Sequence, residues 1–147
     1  MYKPRVYTAS KLHHYTKWML LRSDPAWDFV HWTASWPDKL AAGLEEISSP
    51  ADFANHWSQD IREVRDSDFV LIQYDDGLRG ALIEAGACLA FGNRVVAIHF
   101  PSGDTWTNHP LVTRVYDLEK ARNFLYQYTA MVPPASRKRM ANDQDAD

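Results

Sequence analysis

The sequence predicts a three-layer α/β fold built on a five-stranded parallel sheet. Two unbroken apolar runs of strand length, Phe69-Val70-Leu71-Ile72 and Val95-Val96-Ala97-Ile98, are the first observation. Such runs suit strands covered on both faces, as strands in parallel sheets are. The second is that strand-like and helix-like segments alternate about five times, the pattern that lays helices on both faces of a sheet.

Arg5 to Ala9 reads as a short strand centred on Val6 and Tyr7. Lys11 to Leu21 follows as a helix, with Leu12, Tyr15, Trp18 and Met19 at roughly helical spacing. Trp27 to Trp32 reads as a second, weakly patterned strand. Residues 33–48 receive no element, because Pro37 and Gly43 interrupt any period. The clearest helix start comes next: Ser49 can cap, Pro50 suits the first helical position, and Asp52 stands three residues after Ser49. That helix is predicted to run to about Ser67, and Asp68 to Tyr74 is the third strand. Asp75-Asp76-Gly77 is a turn. Leu78 to Phe91 is predicted helical and is stopped by Gly92-Asn93. Arg94 to Phe100 is the fourth strand, Pro101 to Pro110 a polar loop, and Leu111 to Tyr116 the last strand. Leu118 to about Ala130 is the last helix, with Ala121, Leu125 and Tyr128 on one face. Residues 1–132 are expected to form one domain, and residues 133–147, opened by Pro133-Pro134, a disordered polar tail.

The expected strand order is the flavodoxin-like 2-1-3-4-5. Ligands in such sheets bind beyond the carboxyl ends of the strands, where the strand order switches. Tyr7 to Lys11 and Tyr74 to Glu84 are therefore expected to line a site.

With 147 residues there is room for one domain and one sizeable core. The net charge of -3 argues against a broad phosphate-backbone footprint, so no nucleic acid partner is expected. No apolar run is long enough to span a membrane, and none is expected as a partner. Met1 to Arg5 lead directly into the first strand without a signal-peptide pattern, and the lone Cys88 cannot form an internal disulfide. These features set the expectation of a cytoplasmic protein.

Glu84 is the candidate that stands out. It lies in Gly80-Ala81-Leu82-Ile83-Glu84-Ala85-Gly86, within an otherwise apolar helix whose glycines and alanines permit close approach to the backbone. Near a helix start, the positive end of the dipole favours an ionised carboxylate, with an effect that fades beyond the first turn. An ionised carboxylate at a strand's carboxyl end can attack an electrophilic sugar carbon. On spacing alone, a glutamate at the surface edge of the helix is the favoured reading.

The stretch Asp60-Ile61-Arg62-Glu63-Val64-Arg65-Asp66-Ser67-Asp68-Phe69-Val70-Leu71, then Gly80 to Gly86, then Gly92-Asn93-Arg94-Val95-Val96, resembles the nucleoside 2-deoxyribosyltransferase superfamily, as does the opening Val6-Tyr7-Thr8-Ala9-Ser10. Trp106-Thr107-Asn108-His109-Pro110-Leu111-Val112 is similar to a segment of poorly characterised phage and bacterial members. The resemblance implies cleavage of the N-glycosidic bond of deoxynucleosides or deoxynucleotides through a covalent glycosyl-glutamate intermediate, without metal or organic cofactor. Glu84 matches the nucleophile. Asp60 matches an acid that touches the sugar and polarises the site, and Tyr7 a tyrosine that hydrogen-bonds near the glutamate. Ser10 falls in the loop that holds a 5′-phosphate in the nucleotide-hydrolysing branch. Asn108 lies roughly where a neighbouring subunit supplies a polar residue, so a homodimer or higher homo-oligomer is implied.

Two departures leave nucleoside and 5′-nucleotide both open as substrate. Gly77-Leu78-Arg79-Gly80 has an arginine and no serine, and Arg79 can pair with a phosphate or remain solvated. Lys11-Leu12-His13-His14 is not a Gly/Arg-rich phosphate loop. Gly80 and Asp76 are further candidates for substrate contact, with a plain turn the alternative for Asp75 and Asp76. The six histidines show no paired ligand spacing, so no metal is expected; His13, His14 and His109 remain candidate proton carriers. Trp18, Trp36 and Trp106 are candidates for stacking on a base or for packing, and Cys88 reads as core. Two other readings stay open: hydrolysis of a modified or NAD-like nucleotide, and a catalytically silent nucleotide-sensing module on the same fold.

Overall fold

The computed structural model describes residues 2–43 and 50–131. Its five strands are β1 (Arg5–Ala9), β2 (His31–Trp32), β3 (Phe69–Gln73), β4 (Arg94–Ile98) and β5 (Val112–Val115). They form one sheet, parallel throughout, in the order β2-β1-β3-β4-β5. The expected flavodoxin-like order is the one observed. The helices are α1 (Tyr15–Arg22), α2 (Trp36–Ala41), α3 (Pro50–Arg65), α4 (Gly80–Ala90) and α5 (Leu118–Met131).

Register explains why both faces are apolar. Val6 pairs with Phe69 and Tyr7 with Val70, so each pair shares a face of the sheet. Phe69 meets Phe124 and Tyr128 of α5 edge-on, whereas Tyr7 reaches Glu84 of α4. Helices α4 and α5 therefore cover opposite faces, and β3, between them, is buried from Phe69 through Ile72. Ser67-Asp68, just before β3, fixes the entry. Ser67 Oγ donates to Glu63 O, the Asp68 amide donates to Arg5 O at 2.8 Å, and Asp68 Oδ2 accepts from the Arg5 amide at 2.8 Å.

Several boundaries differ from the sequence expectation. The second strand is not Trp27 to Trp32 but only His31–Trp32. Asp24 caps a 3-10 turn over Pro25–Trp27 by accepting from the Ala26 amide, and the Trp27 and Val30 amides are spent on turn carbonyls. These groups are then unavailable to a ladder. Residues 33–48, left without an element, contain α2; Pro37 sits in its first turn, where its missing amide costs nothing. The first helix begins at Tyr15, preceded by a 3-10 turn over Leu12–His14, and the expected loop 101–110 contains another over Thr105–Asn108. The helix expected from Leu78 begins at Gly80, because Arg79 is non-helical. The expected cap Ser49 and tail 133–147 lie outside the described residues. Among the described residues no helix is long and apolar enough to cross a membrane.

Candidate active site

The buried positions of α4 are Ala81, Glu84, Ala85 and Cys88, a stripe at helical spacing. Glu84 occupies that stripe, not the surface edge of the helix, and is 7% exposed. Gly80 lets the helix start here: a Cβ at that position would come within 3.2 Å of the Trp57 ring of α3. Gly86 has open space around it, so the close approach expected of both glycines applies to Gly80 alone. Across the sheet face, the fully buried Tyr7 donates its hydroxyl hydrogen to Glu84 Oε2.

Burial dominates the electrostatics. Loss of water pushes the Glu84 carboxyl up to about 8, and nearby Asp60 and Glu63 add to the rise, while the Tyr7 hydrogen bond opposes it. Dipole support for an ionised Glu84, expected from its place near the helix start, is thus outweighed by desolvation. Asp60 is pushed up to about 6 by burial and by Glu63, against the pull of Lys39. The Tyr7 phenol is raised well above its ordinary value by burial first, then by Glu84 and Asp60. Glu63 is itself anchored, accepting from the Ser35 amide and hydroxyl at 3.1 Å each. Tyr7, Asp60 and Glu84 therefore all hold their protons more tightly than they would in water.

These groups open into a cleft of about 530 Å³. It lies beyond the carboxyl ends of β1 and β3, where the strand order switches, as the topology predicts for a ligand site. Residues after β1 (Ser10 to His13) and residues before and at the start of α4 (Gly77 to Ala81) form two of its walls. Trp36 and Trp57 supply aromatic surface, and the Trp36 indole is fixed by donation to Thr8 O at 2.8 Å. Asp60 and Glu84 are acidic lining groups, and Lys11 and Arg79 are cationic ones. A volume of this size, with aromatic walls and a few polar groups, suits a ligand with one flat ring system and a charged end.

Glu84, Asp60, Ser10, Arg79 and Gly80 all line this cleft, with Tyr7 directly behind Glu84. Asp76 does not line it; exposed on its turn, it accepts from the Tyr74 hydroxyl at 2.9 Å. Asn108 is also outside the cleft of its own chain, exposed, and donates to Thr105 O. Of the three tryptophans considered for stacking, only Trp36 lines the cleft. Trp18 is buried and donates to Ser10 Oγ at 2.8 Å, and Trp106 packs edge-on against Phe100. His13 lines the cleft, His14 contacts Asp75, and His109 accepts from the Leu111 amide outside it. Cys88 is buried and its thiol is pushed up to about 12, an inert core group. Lys11 falls in the segment expected to line the site, whereas sequence reasoning missed Trp57 and Glu63. Trp57 and Asp60 stand three apart and so share a face of α3, a signal that could have found Trp57.

No protein-family model matches the chain, and no curated protein does. Among solved structures it is similar to the CMP N-glycosidase BcmB of Clostridium botulinum. That likeness has a TM-score of 0.51 and 14% identity over 84% of this chain and 98% of the other. At this identity the similarity is one of fold.

Proposed function

We propose that this protein is an enzyme that cleaves the N-glycosidic bond of a nucleotide, with Glu84 as nucleophile. The observation that carries the reading is the buried Tyr7–Glu84 pair at a cleft walled by Trp36 and Trp57. A nucleobase stacks on the indoles. Lys11 and Arg79 meet the anionic 5′ end, which favours a 5′-nucleotide over a nucleoside. The fold shared with an enzyme described as a CMP N-glycosidase supports the same class of substrate.

In the reaction, a Glu84 oxygen forms a bond to the anomeric carbon as the carbon–nitrogen bond breaks. The bonding electron pair leaves with the base, which takes up a proton. Water, or the nitrogen of a second base, then displaces Glu84 and regenerates the carboxylate. Because burial holds a proton on Glu84 up to about pH 8, that proton must leave before attack. The Tyr7 hydrogen bond favours the charged form and assists this step. In this reading Asp60, which lines the same cleft, orients sugar hydroxyls. A protonated Glu84 also suits a second reading, a binding module in which it donates a hydrogen bond to the sugar without turnover.

The test is a panel of ribo- and deoxynucleosides and their 5′-phosphates, incubated with and without free base and analysed by chromatography. Release of base from a 5′-nucleotide supports the proposal. Binding without release across the panel favours the module.

A further inference from the structure

Adjacent histidines in the sequence give no ligand spacing, but the fold supplies a third ligand. His13 and His14 sit on the 3-10 turn after β1, and Asp75 sits on the turn after β3. His14 Nε2 lies 3.1 Å from Asp75 Oδ2, and His13 Nε2 lies 3.5 Å from the same oxygen. The three ligand atoms fall within 4.8 Å of one another. Zinc holds nitrogen and oxygen ligands at about 2.0–2.2 Å, so a tetrahedral site separates ligand atoms by roughly 3.3–3.6 Å. The two measured separations lie at or just below that range.

A simple histidine–aspartate contact pairs one ring with one oxygen. Here two rings converge on one oxygen, with centroids 4.2 Å apart. The Asp75 carboxylate is already oriented, since its Oδ1 accepts from the Asp76 amide at 2.8 Å and leaves Oδ2 to the rings. His14 Nε2 already contacts this Oδ2 at 3.1 Å. Lys11 also acts on Asp75, and its charge opposes a bound cation.

We infer that His13, His14 and Asp75 form a binding site for a zinc-class divalent ion that staples the loop after β1 to the turn after β3. Imidazole with one carboxylate is the donor set of a borderline transition metal, in place of calcium or magnesium, which take oxygen. Three protein ligands leave a coordination position for water or for an oxygen of a bound molecule. His13 and Gly77, which line the cleft, lie on the two segments so joined, and the ion therefore rigidifies two walls of the cleft.

The site is tested by titrating zinc chloride into the full chain by calorimetry, with cobalt absorption in the visible as a check on imidazole ligation. The expected result is saturable one-to-one binding that weakens roughly tenfold or more in Asp75→Asn and in His13→Ala. His109→Ala, remote from the cluster, should bind as wild type does. Zinc should raise the Tm of the wild type and leave that of Asp75→Asn unchanged. Circular dichroism establishes that the variants, which alter surface turns, are folded. No saturable zinc binding by the wild type would overturn the site. So would Asp75→Asn and His13→Ala proteins that bind zinc as tightly as the wild type. None of these readouts depends on glycosidase activity.

Discussion

Glu84 is a buried acid, and burial acts on reactivity and on stability with opposite sign. Its folded carboxyl is raised to about 8 from an ordinary 4.5, so the folded chain holds this proton more tightly than the unfolded chain does. The resulting stabilisation is complete below about pH 4.5 and is lost as pH rises through about 8. Glu84→Gln keeps the shape and removes the charge. The variant is expected to gain Tm over the wild type, by more at about pH 9 than at about pH 5, in thermal melts followed by circular dichroism. It should lose activity by on the order of 10³-fold or more. A gain in stability with a loss of turnover marks a group kept for chemistry. For the wild type, kcat/KM should rise with pH and flatten near about 8, because it reports ionisation of the free enzyme. Tyr7→Phe removes a hydrogen bond that lowers the Glu84 value, and should move this limb to higher pH in a pH–rate profile. Glu84 and Asp60 were legible in the sequence through an apolar context and a resemblance. Trp57 and Glu63 were not, because their place at the site depends on how α3 docks.

At the scale of elements, the close fit of α3 against the start of α4 sets one wall of the cleft. Gly80→Ala would put a methyl group about 3.2 Å from the Trp57 ring. Trp57 is 39% exposed and has room to yield, so the fold should survive with little change in Tm. The shifted indole should raise KM more than it lowers kcat, a split that steady-state kinetics reads. Gly77→Ala acts differently. Gly77 has φ +71°, a conformation costing a side chain roughly 1 kcal/mol, so this variant should lower Tm. The long apolar runs of β3 and β4 were readable because burial on both faces leaves them no polar positions. β2 was not: Trp27 and Phe29 look like strand residues but pack as an aromatic cluster with Trp32 above a capped turn. The segment before α3 hid α2 because Pro37 reads as a breaker unless it falls in a first turn.

For the whole molecule, alternation along the chain pointed to a parallel sheet, and the strand order places the cleft at its switch point. What the chain order could not supply was the content of the cleft, since its walls come from four separate segments. Phe53, Leu82 and Ile83 on α3 and α4 are exposed, apolar surface available to the homodimer or higher homo-oligomer that the resemblance implies. Light scattering at micromolar concentration should then give a mass of at least about twice 16.9 kDa, and a mass near 16.9 kDa would count against an oligomer. The central claim is that Glu84 attacks the anomeric carbon of a nucleotide, and base release from 5′-nucleotides by wild type and by Glu84→Gln in parallel tests it most directly. The account predicts free base from the wild type and, from the folded Glu84→Gln protein, a rate lower by about 10³-fold or more. Equal rates from the two proteins would contradict it.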